Sequence, residues 1–371
     1  MDKIINRLIR QVEKAKKTGN YIEEINAYQK LYDLYKHELG EKHPDTLNAL
    51  GNLGNAYSKI GDCNKALEIE NAVYNAQKGI LGENHPDTIT TLANLANTYS
   101  DLGDYYKALE LENIVYNERK DILGENHLDT LIALENVAFS YNALGDYKKA
   151  LELQEEVYDA RKQILGKNHP DTLYTLLNIA GIYSNLGYYN KALELTNSVY
   201  DAMKEIFGEN NPNTIKVLSI VAVSYSNLGY YNKALEAEKA VYTTRKEILG
   251  ENHPDTLSSL ANLAISYSDL GEYSKACELQ KIVYNARKEI LGENHPDTLR
   301  SLVNLTNTYN NLGDYYKTLE LQNIIYNELK DILGENHPDT LTVLGNVAAY
   351  YSILGVKPQT LPIIKSNKTA N

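Results

Sequence analysis

The chain is 371 residues long, 43% hydrophobic and 23% charged, with a formal net charge of −12 and no basic cluster. That composition suits a soluble, folded protein and excludes the positive footprint that a nucleic-acid or anionic-membrane partner needs. The two cysteines, Cys63 and Cys277, stand far apart without a CxxC, which excludes a disulfide framework and a cysteine zinc site and fits a reducing compartment.

The opening stretch "MDKIINRLIRQVEKAKK" is amphipathic and basic, but it contains Asp2 and Glu13 and no apolar run of signal-peptide length. It reads as a first helix over about residues 4–17, followed by a turn at Gly19 and a second helix over about 21–38. No segment approaches the ~18 consecutive apolar residues of a membrane span. The expected setting is cytoplasmic.

A short motif then recurs. "LGENHPDTL" stands verbatim at 249–257, 291–299 and 333–341, with variants at 39–47, 81–89, 123–131, 165–173 and 207–215. Its glycines, Gly40, Gly82, Gly124, Gly166, Gly208, Gly250, Gly292 and Gly334, are spaced by 42 residues throughout, with no insertion or deletion. A fixed period of this length marks one structural unit stacked many times.

Residues 87–102, "DTITTLANLANTYSDL", put Ile89, Leu92, Leu95, Ala96 and Tyr99 on one helical stripe. "GDY" at 103–105 stops this helix A, with Gly103 as the turn residue. Helix B follows, with a second stripe of Ala108, Leu111, Val115 and Ile122 and an outer Lys107–Glu110 pair three residues apart. The eight A helices share a leucine (Leu92 in this unit), a closing tyrosine (Tyr99) and, between them, a small residue, which is Gly54, Ala96, Ala138, Ala180, Ala222, Ala264, Thr306 or Ala348. The small residue lets helix B approach closely. One unit cannot bury both stripes alone, so neighbours must stack. The last helix A, 339–354, is followed by Pro358 and Pro362, which forbid another helix B. It is expected to cap an array over 1–355, whose first unit is partly degenerate, ahead of a short basic disordered tail at 356–371.

The pattern "NLAxxYSxLGDYxKALEL" resembles the tetratricopeptide repeat, carried in the second full unit by Leu95-Ala96, Tyr99, Gly103, Tyr105 and Ala108. The unit is longer than the usual ~34 residues and has "LG…HPDT" between hairpins, as in kinesin-light-chain-type repeats. The resemblance implies an all-α fold, an α-solenoid wound as a right-handed superhelix of stacked helix-turn-helix TPR units. It also implies a non-enzymatic scaffold or adaptor for protein-protein interaction. One departure is visible: the family's aromatic four residues after the helix B alanine is polar here (Glu70, Glu112, Gln154, Thr196, Glu238, Gln280, Gln322), and a tyrosine four residues further on (Tyr74 to Tyr326) takes its place.

The motif histidines are metal-ligand types, but copies one hairpin apart, with helices packing at roughly 8–10 Å, cannot share an ion. With proline at the first helical position and Asp in the first turn, His or Asn reads as a helix N-cap. No cofactor or metal is expected. No HExxH, GxSxG or phosphate-loop motif occurs, and the helix B glutamates read as a solvated outer face.

Helix A lines the concave groove in the resembled family. On that face asparagine recurs: Asn52, Asn94, Asn136, Asn178, Asn262, Asn304 and Asn346, with Ile220 the exception, and Asn55, Asn97 and Asn307 one turn on. A carboxamide donates and accepts, so such a ladder can hold the backbone of an extended peptide, the role the resemblance implies. The other reading has these residues bonding neighbouring helices. The middle of the face is apolar (Ile132, Phe139, Tyr174, Leu177, Ile220, Val223, Ile265) and suggests an anchor pocket, with few and mixed charges: Lys59, Lys216 and Arg300 against Asp101, Glu135 and Asp269. The expected partner is a protein or peptide bound in the groove. The alternatives are a sensor or regulatory segment of a larger signalling protein, or a self-associating scaffold.

Overall fold

The computed structural model describes residues 2–356, which divide between two compact units, one up to Ser259 and one from Leu260. Every regular element among the described residues is an α-helix. The first unit contains α1 (Asp2–Thr18), α2 (Tyr21–Leu39), α3 (Pro44–Lys59), α4 (Cys63–Leu81), α5 (Pro86–Asp101), α6 (Tyr105–Leu123) and α7 (Leu128–Ala143). It continues through α8 (Tyr147–Leu165), α9 (Pro170–Asn185), α10 (Tyr189–Phe207), α11 (Pro212–Asn227), α12 (Tyr231–Leu249) and the start of α13 (Pro254–Asp269). The second unit holds the rest of α13, then α14 (Tyr273–Leu291), α15 (Pro296–Asn311), α16 (Tyr315–Leu333) and α17 (Pro338–Leu354). In the first unit each helix from α1 to α12 packs on the next, as do α14 to α17 in the second. This is an α-solenoid of stacked helix pairs. The expected tail, apart from Val356, lies outside the described residues.

Local chemistry sets the helix ends. His85 is the N-cap of α5, in extended backbone, and its Nδ1 accepts from the Asp87 N–H at 3.2 Å, with Pro86 as the first helical residue. The other motif histidines do the same, and Asn211 replaces them on α11 with its Oδ1 2.9 Å from the Asn213 N–H. These are the capping geometries that satisfy donors a helix start leaves open. Gly82 closes α4 at φ 94°, and Gly103 turns between α5 and α6 at φ 78°, both in a region that favours glycine.

The core is divided among small clusters, each built from two or three successive helices. Ile89, Leu92, Leu95, Val115 and Ala133 form one, with Leu111, Tyr74 and Tyr116 packed against it. Tyr74 and Tyr116, two of the tyrosines expected to replace the family aromatic, pack half-buried against this cluster. The small residue of helix A is needed: a Cβ at Gly54 would come within 3.1 Å of Ile69 and Glu70 on α4.

Three expectations are corrected. Ile122 is 47% exposed, because the last turn of helix B extends past its neighbours. Four of the helix B glutamates are not on a solvated face: Glu24, Glu70, Glu112 and Glu238 are buried, while Glu68, Glu110 and Glu152 on the outer side are exposed as expected. At α17 the repeated core positions are open, with Leu344 41% and Leu341 49% exposed, since among the described residues no helix B follows.

Candidate functional site

Within the first unit, α7, α9 and α11 present the same face side by side and enclose a cleft of about 660 Å³. α7 contributes Glu135, Asn136, Ala138, Phe139 and Asn142; α9 contributes Leu177, Asn178, Ala180, Gly181, Ile182, Ser184 and Asn185; α11 contributes Ile220, Val223, Ser224 and Asn227. Gln154 of α8 and Thr196 of α10 reach in from helix B. The walls are exposed apolar groups, Phe139 and Val223, while Ala138, Ala180 and Ile182 are buried.

Of the residues expected from sequence, the cleft gathers Asn136, Asn178, Leu177 and Ile220. Leu177 is 6% exposed, locked among Leu173, Val199, Met203 and Val217, so most of its surface serves packing between repeats. Tyr174 does not line the cleft. Its ring packs on the same cluster, its hydroxyl lies 3.1 Å from Asn213 Oδ1, and the Lys216 ammonium lies 5.2 Å from the ring centre. Burial, and then Asp171, raise the Tyr174 pKa, so the hydroxyl stays a donor. Asn52 and Asn55 on α3 and Asn94 and Asn97 on α5 lie outside the cleft, and Asn52 Nδ2 donates to the Asn48 carbonyl at 3.0 Å. Asn262, Asn304, Asn307 and Asn346 belong to the second unit, Asn307 and Asn346 exposed there.

Asn178 already has a partner from the neighbouring repeat: its Nδ2 donates to Glu135 Oε1 at 2.7 Å. Glu135 also receives a bidentate pair from Arg161, at 3.1 and 3.0 Å. Arg161 is 5% exposed and further donates to Thr175 Oγ1 at 2.7 Å and to the Asp171 carbonyl. The arrangement neutralises the only formal charge on the lining. At the far end of the A helices Asn185 donates to Asn142, and Asn227 to Ser184, both at 2.9 Å. Two charges of the face are engaged elsewhere: Lys59 bonds Glu24 at 2.8 Å and Asp101 accepts from Ser58 at 2.7 Å.

Arg161, Gly181 and the Asn142, Asn185 and Asn227 carboxamides were not singled out from sequence, and Gln154 was noted only as a departure from the family pattern. Their one readable signal is a break in repetition: Glu135 and Gly181 differ in kind from their counterparts one period away, Leu177 on one side and Phe139 or Val223 on the other. Among the described residues no three His, Cys, Asp or Glu side chains converge on a metal position.

Tetratricopeptide repeat models match residues 15–79 and 129–205, and again 88–129, 214–255 and 256–297, together well over half of the sequence. The chain belongs to the tetratricopeptide repeat family. No curated protein sequence matches it. Among solved structures it is similar to the nearly identical TPR-like repeats assigned to a kinesin light chain of Podosopora anserina, at 26% identity over 55% of this chain and 97% of that one, TM-score 0.45. It is also similar to BtubC (BKLC) from P. vanneervenii, at 18% identity over 63% and 94% of the two chains, TM-score 0.50. A Rap protein complexed with competence and sporulation factor matches at 13% identity over 96% and 99%, TM-score 0.54. The last two neighbours share the stacked helix-pair fold, and no helix among the described residues is long and apolar enough to cross a membrane.

Proposed function

We propose that this chain is a non-enzymatic scaffold, set in the cytoplasm, that binds an extended peptide segment of a partner protein in the cleft formed by α7, α9 and α11. One observation carries the reading: an open cleft of about 660 Å³ that pairs exposed Phe139 and Val223 with carboxamides from three successive A helices. Apolar anchoring beside groups that both donate and accept is what an extended backbone needs. The net charge of −12 speaks against nucleic acid as the partner. The Rap protein complex supports the reading to the extent that one helical repeat of this fold holds a partner.

The site differs in detail from an uninterrupted asparagine ladder. Asn136 and the outer carboxamides Asn142 and Asn185 are the groups offered to a ligand, with Asn178 shared with Glu135. The test is capture on a peptide array by wild type, Asn136→Ala and Phe139→Asp. Both substitutions fall on groups with exposed surface, so folding is kept. Loss of capture in both supports the reading, and identical capture by all three sinks it.

A second reading, a regulatory segment of a larger signalling protein, is favoured by exposed Leu341, Leu344 and Ile353 on α17. It requires that Leu344→Glu abolish docking of a neighbouring domain while leaving peptide capture intact.

A further inference from the structure

The floor of the cleft holds a polar group that the repeat does not satisfy. Gln154 is 2% exposed, lines the cleft, and its Oε1 has no hydrogen-bond partner among the described residues. At two other copies of this helix B position a hydroxyl 28 residues on is engaged, Thr98 donating to Glu70 at 2.8 Å and Thr196 donating to Ser224 at 3.3 Å, whereas Gln280 and Gln322 share the orphaned Oε1 but do not line this cleft. The residue in that place opposite Gln154 is Ile182, which has no donor to give. A buried acceptor without a donor costs free energy until one arrives.

Above this floor stands Gly181. It occupies in α9 the position that Phe139 holds in α7 and Val223 in α11, one period to either side. It lies inside the helix, and a Cβ added there would meet nothing within 4 Å. Neither a turn nor a close approach calls for glycine, and glycine in a helix interior is unfavourable. What it leaves is a notch of bare helix backbone between Phe139 and Val223, which are 54% and 51% exposed. The only charged lining residue, Glu135, is already held by Arg161 and Asn178. A ligand charge entering here would be desolvated without a counter-charge.

We infer that the notch over Gly181 is a specificity subsite for one uncharged, hydrogen-bond-donating side chain, a carboxamide or a hydroxyl, whose donor meets Gln154 Oε1 once that amide turns toward the cleft. The inference rests on the peptide-groove reading and names the chemistry that the groove selects. A peptide with Asn, Gln, Ser or Thr at one position of a neutral stretch fits. Acidic or basic side chains at that position do not.

The experiment pans a phage-displayed library of short random peptides against the full chain. The best peptide is then measured by fluorescence polarisation against wild type, Gly181→Leu, Gly181→Ala, Gln154→Leu and Asn136→Ala. The expected result is enrichment of Asn, Gln, Ser or Thr at one fixed position. Gly181→Leu weakens binding more than about tenfold and Gly181→Ala less, while circular dichroism shows an unchanged fold because a Cβ at this exposed position enters open space. Gln154→Leu weakens it about tenfold, and has no further effect once the peptide's donor side chain is replaced by Leu. Enrichment of charged residues at that position overturns the inference. So does binding within about twofold of wild type for the Gly181 and Gln154 variants while Asn136→Ala loses it, an outcome that leaves the groove reading standing. Failure to select any peptide, or equal binding by every variant, overturns the groove reading and this inference with it.

Discussion

The buried acids beneath the A helices make stability depend on pH in a direction opposite to that of an ordinary acidic protein. Glu70 and Glu112 are 1% and 4% exposed, and burial pushes both up to about 7 from an ordinary value of 4.5. Glu70 keeps one bond, from Thr98 at 2.8 Å to Oε2, while its Oε1 has no partner among the described residues. Because the folded state binds the proton more tightly than the unfolded chain, the contribution is fully present below pH 4.5. It is lost as the pH rises through about 7. A gap of this size corresponds to about 3–4 kcal/mol per carboxyl at most, and relaxation around the charged form leaves about 1–2 kcal/mol of it. Glutamine has nearly the same shape and cannot ionise, and the equivalent position already holds buried Gln154, Gln280 and Gln322. Glu70→Gln with Glu112→Gln is therefore expected to leave the urea midpoint unchanged at acid pH. At alkaline pH it raises stability by about 2–4 kcal/mol for the pair. Wild type and the double variant are compared by circular dichroism in urea at both pH values. Parallel pH profiles for the two proteins would show that neither carboxyl is held protonated by the fold.

Three further outcomes are expected. Gly181→Ala raises stability by about 0.5–1 kcal/mol, whereas Gly54→Ala lowers it, since its Cβ lands 3.1 Å from Ile69 and Glu70; thermal melts of the two variants should move in opposite directions. Arg161→Met, the residue type that Met203 supplies one repeat later, strips Glu135 of its counter-charge and costs about 1–3 kcal/mol. Adding Glu135→Ala, as at Ala93 and Ala261, restores most of that in urea unfolding. His85→Ala removes the α5 cap and costs about 0.5–2 kcal/mol, while His85→Asn is nearly neutral because Asn211 makes the same bond on α11, a difference readable by thermal denaturation.

The period, turns and helix ends were legible because each depends on residues close in sequence. Gly82 and Gly103 need positive φ, and His85 caps the backbone of Asp87 two residues away. The expected helix over 87–102 is α5, Pro86–Asp101, and the expected last helix over 339–354 is α17, Pro338–Leu354. The cleft was harder to read because its chemistry crosses repeats. Arg161 reaches Glu135 across 26 residues, and Asn178 reaches it across 43, so neither bond has a local signature. The outer helix B glutamates, such as Glu68, Glu110 and Glu152, are exposed as expected. The expectation fails at Glu24, Glu70, Glu112 and Glu238, because charge alone suggests solvent. Their burial follows from which face of helix B the next A helix covers, and two of them, Glu70 and Glu112, sit there at a pKa of about 7. Leu177 shows the reverse limit: a leucine on the groove face is also the natural plug between repeats.

Each copy of the motif carries its own caps: the histidine, or Asn211 in one copy, binds the backbone two residues on, and the glycine closes the helix just before it. These capping bonds stay within their own stretch of chain. The gene can therefore lose or gain a unit as a cassette, cut at any copy of the motif, and the joined ends find the partners they had before. Most units are interchangeable parts in this sense. The hairpins that supply Phe139, Gly181 and Val223 are the exception, since exchanging the middle one for either neighbour would close the notch while leaving the solenoid intact.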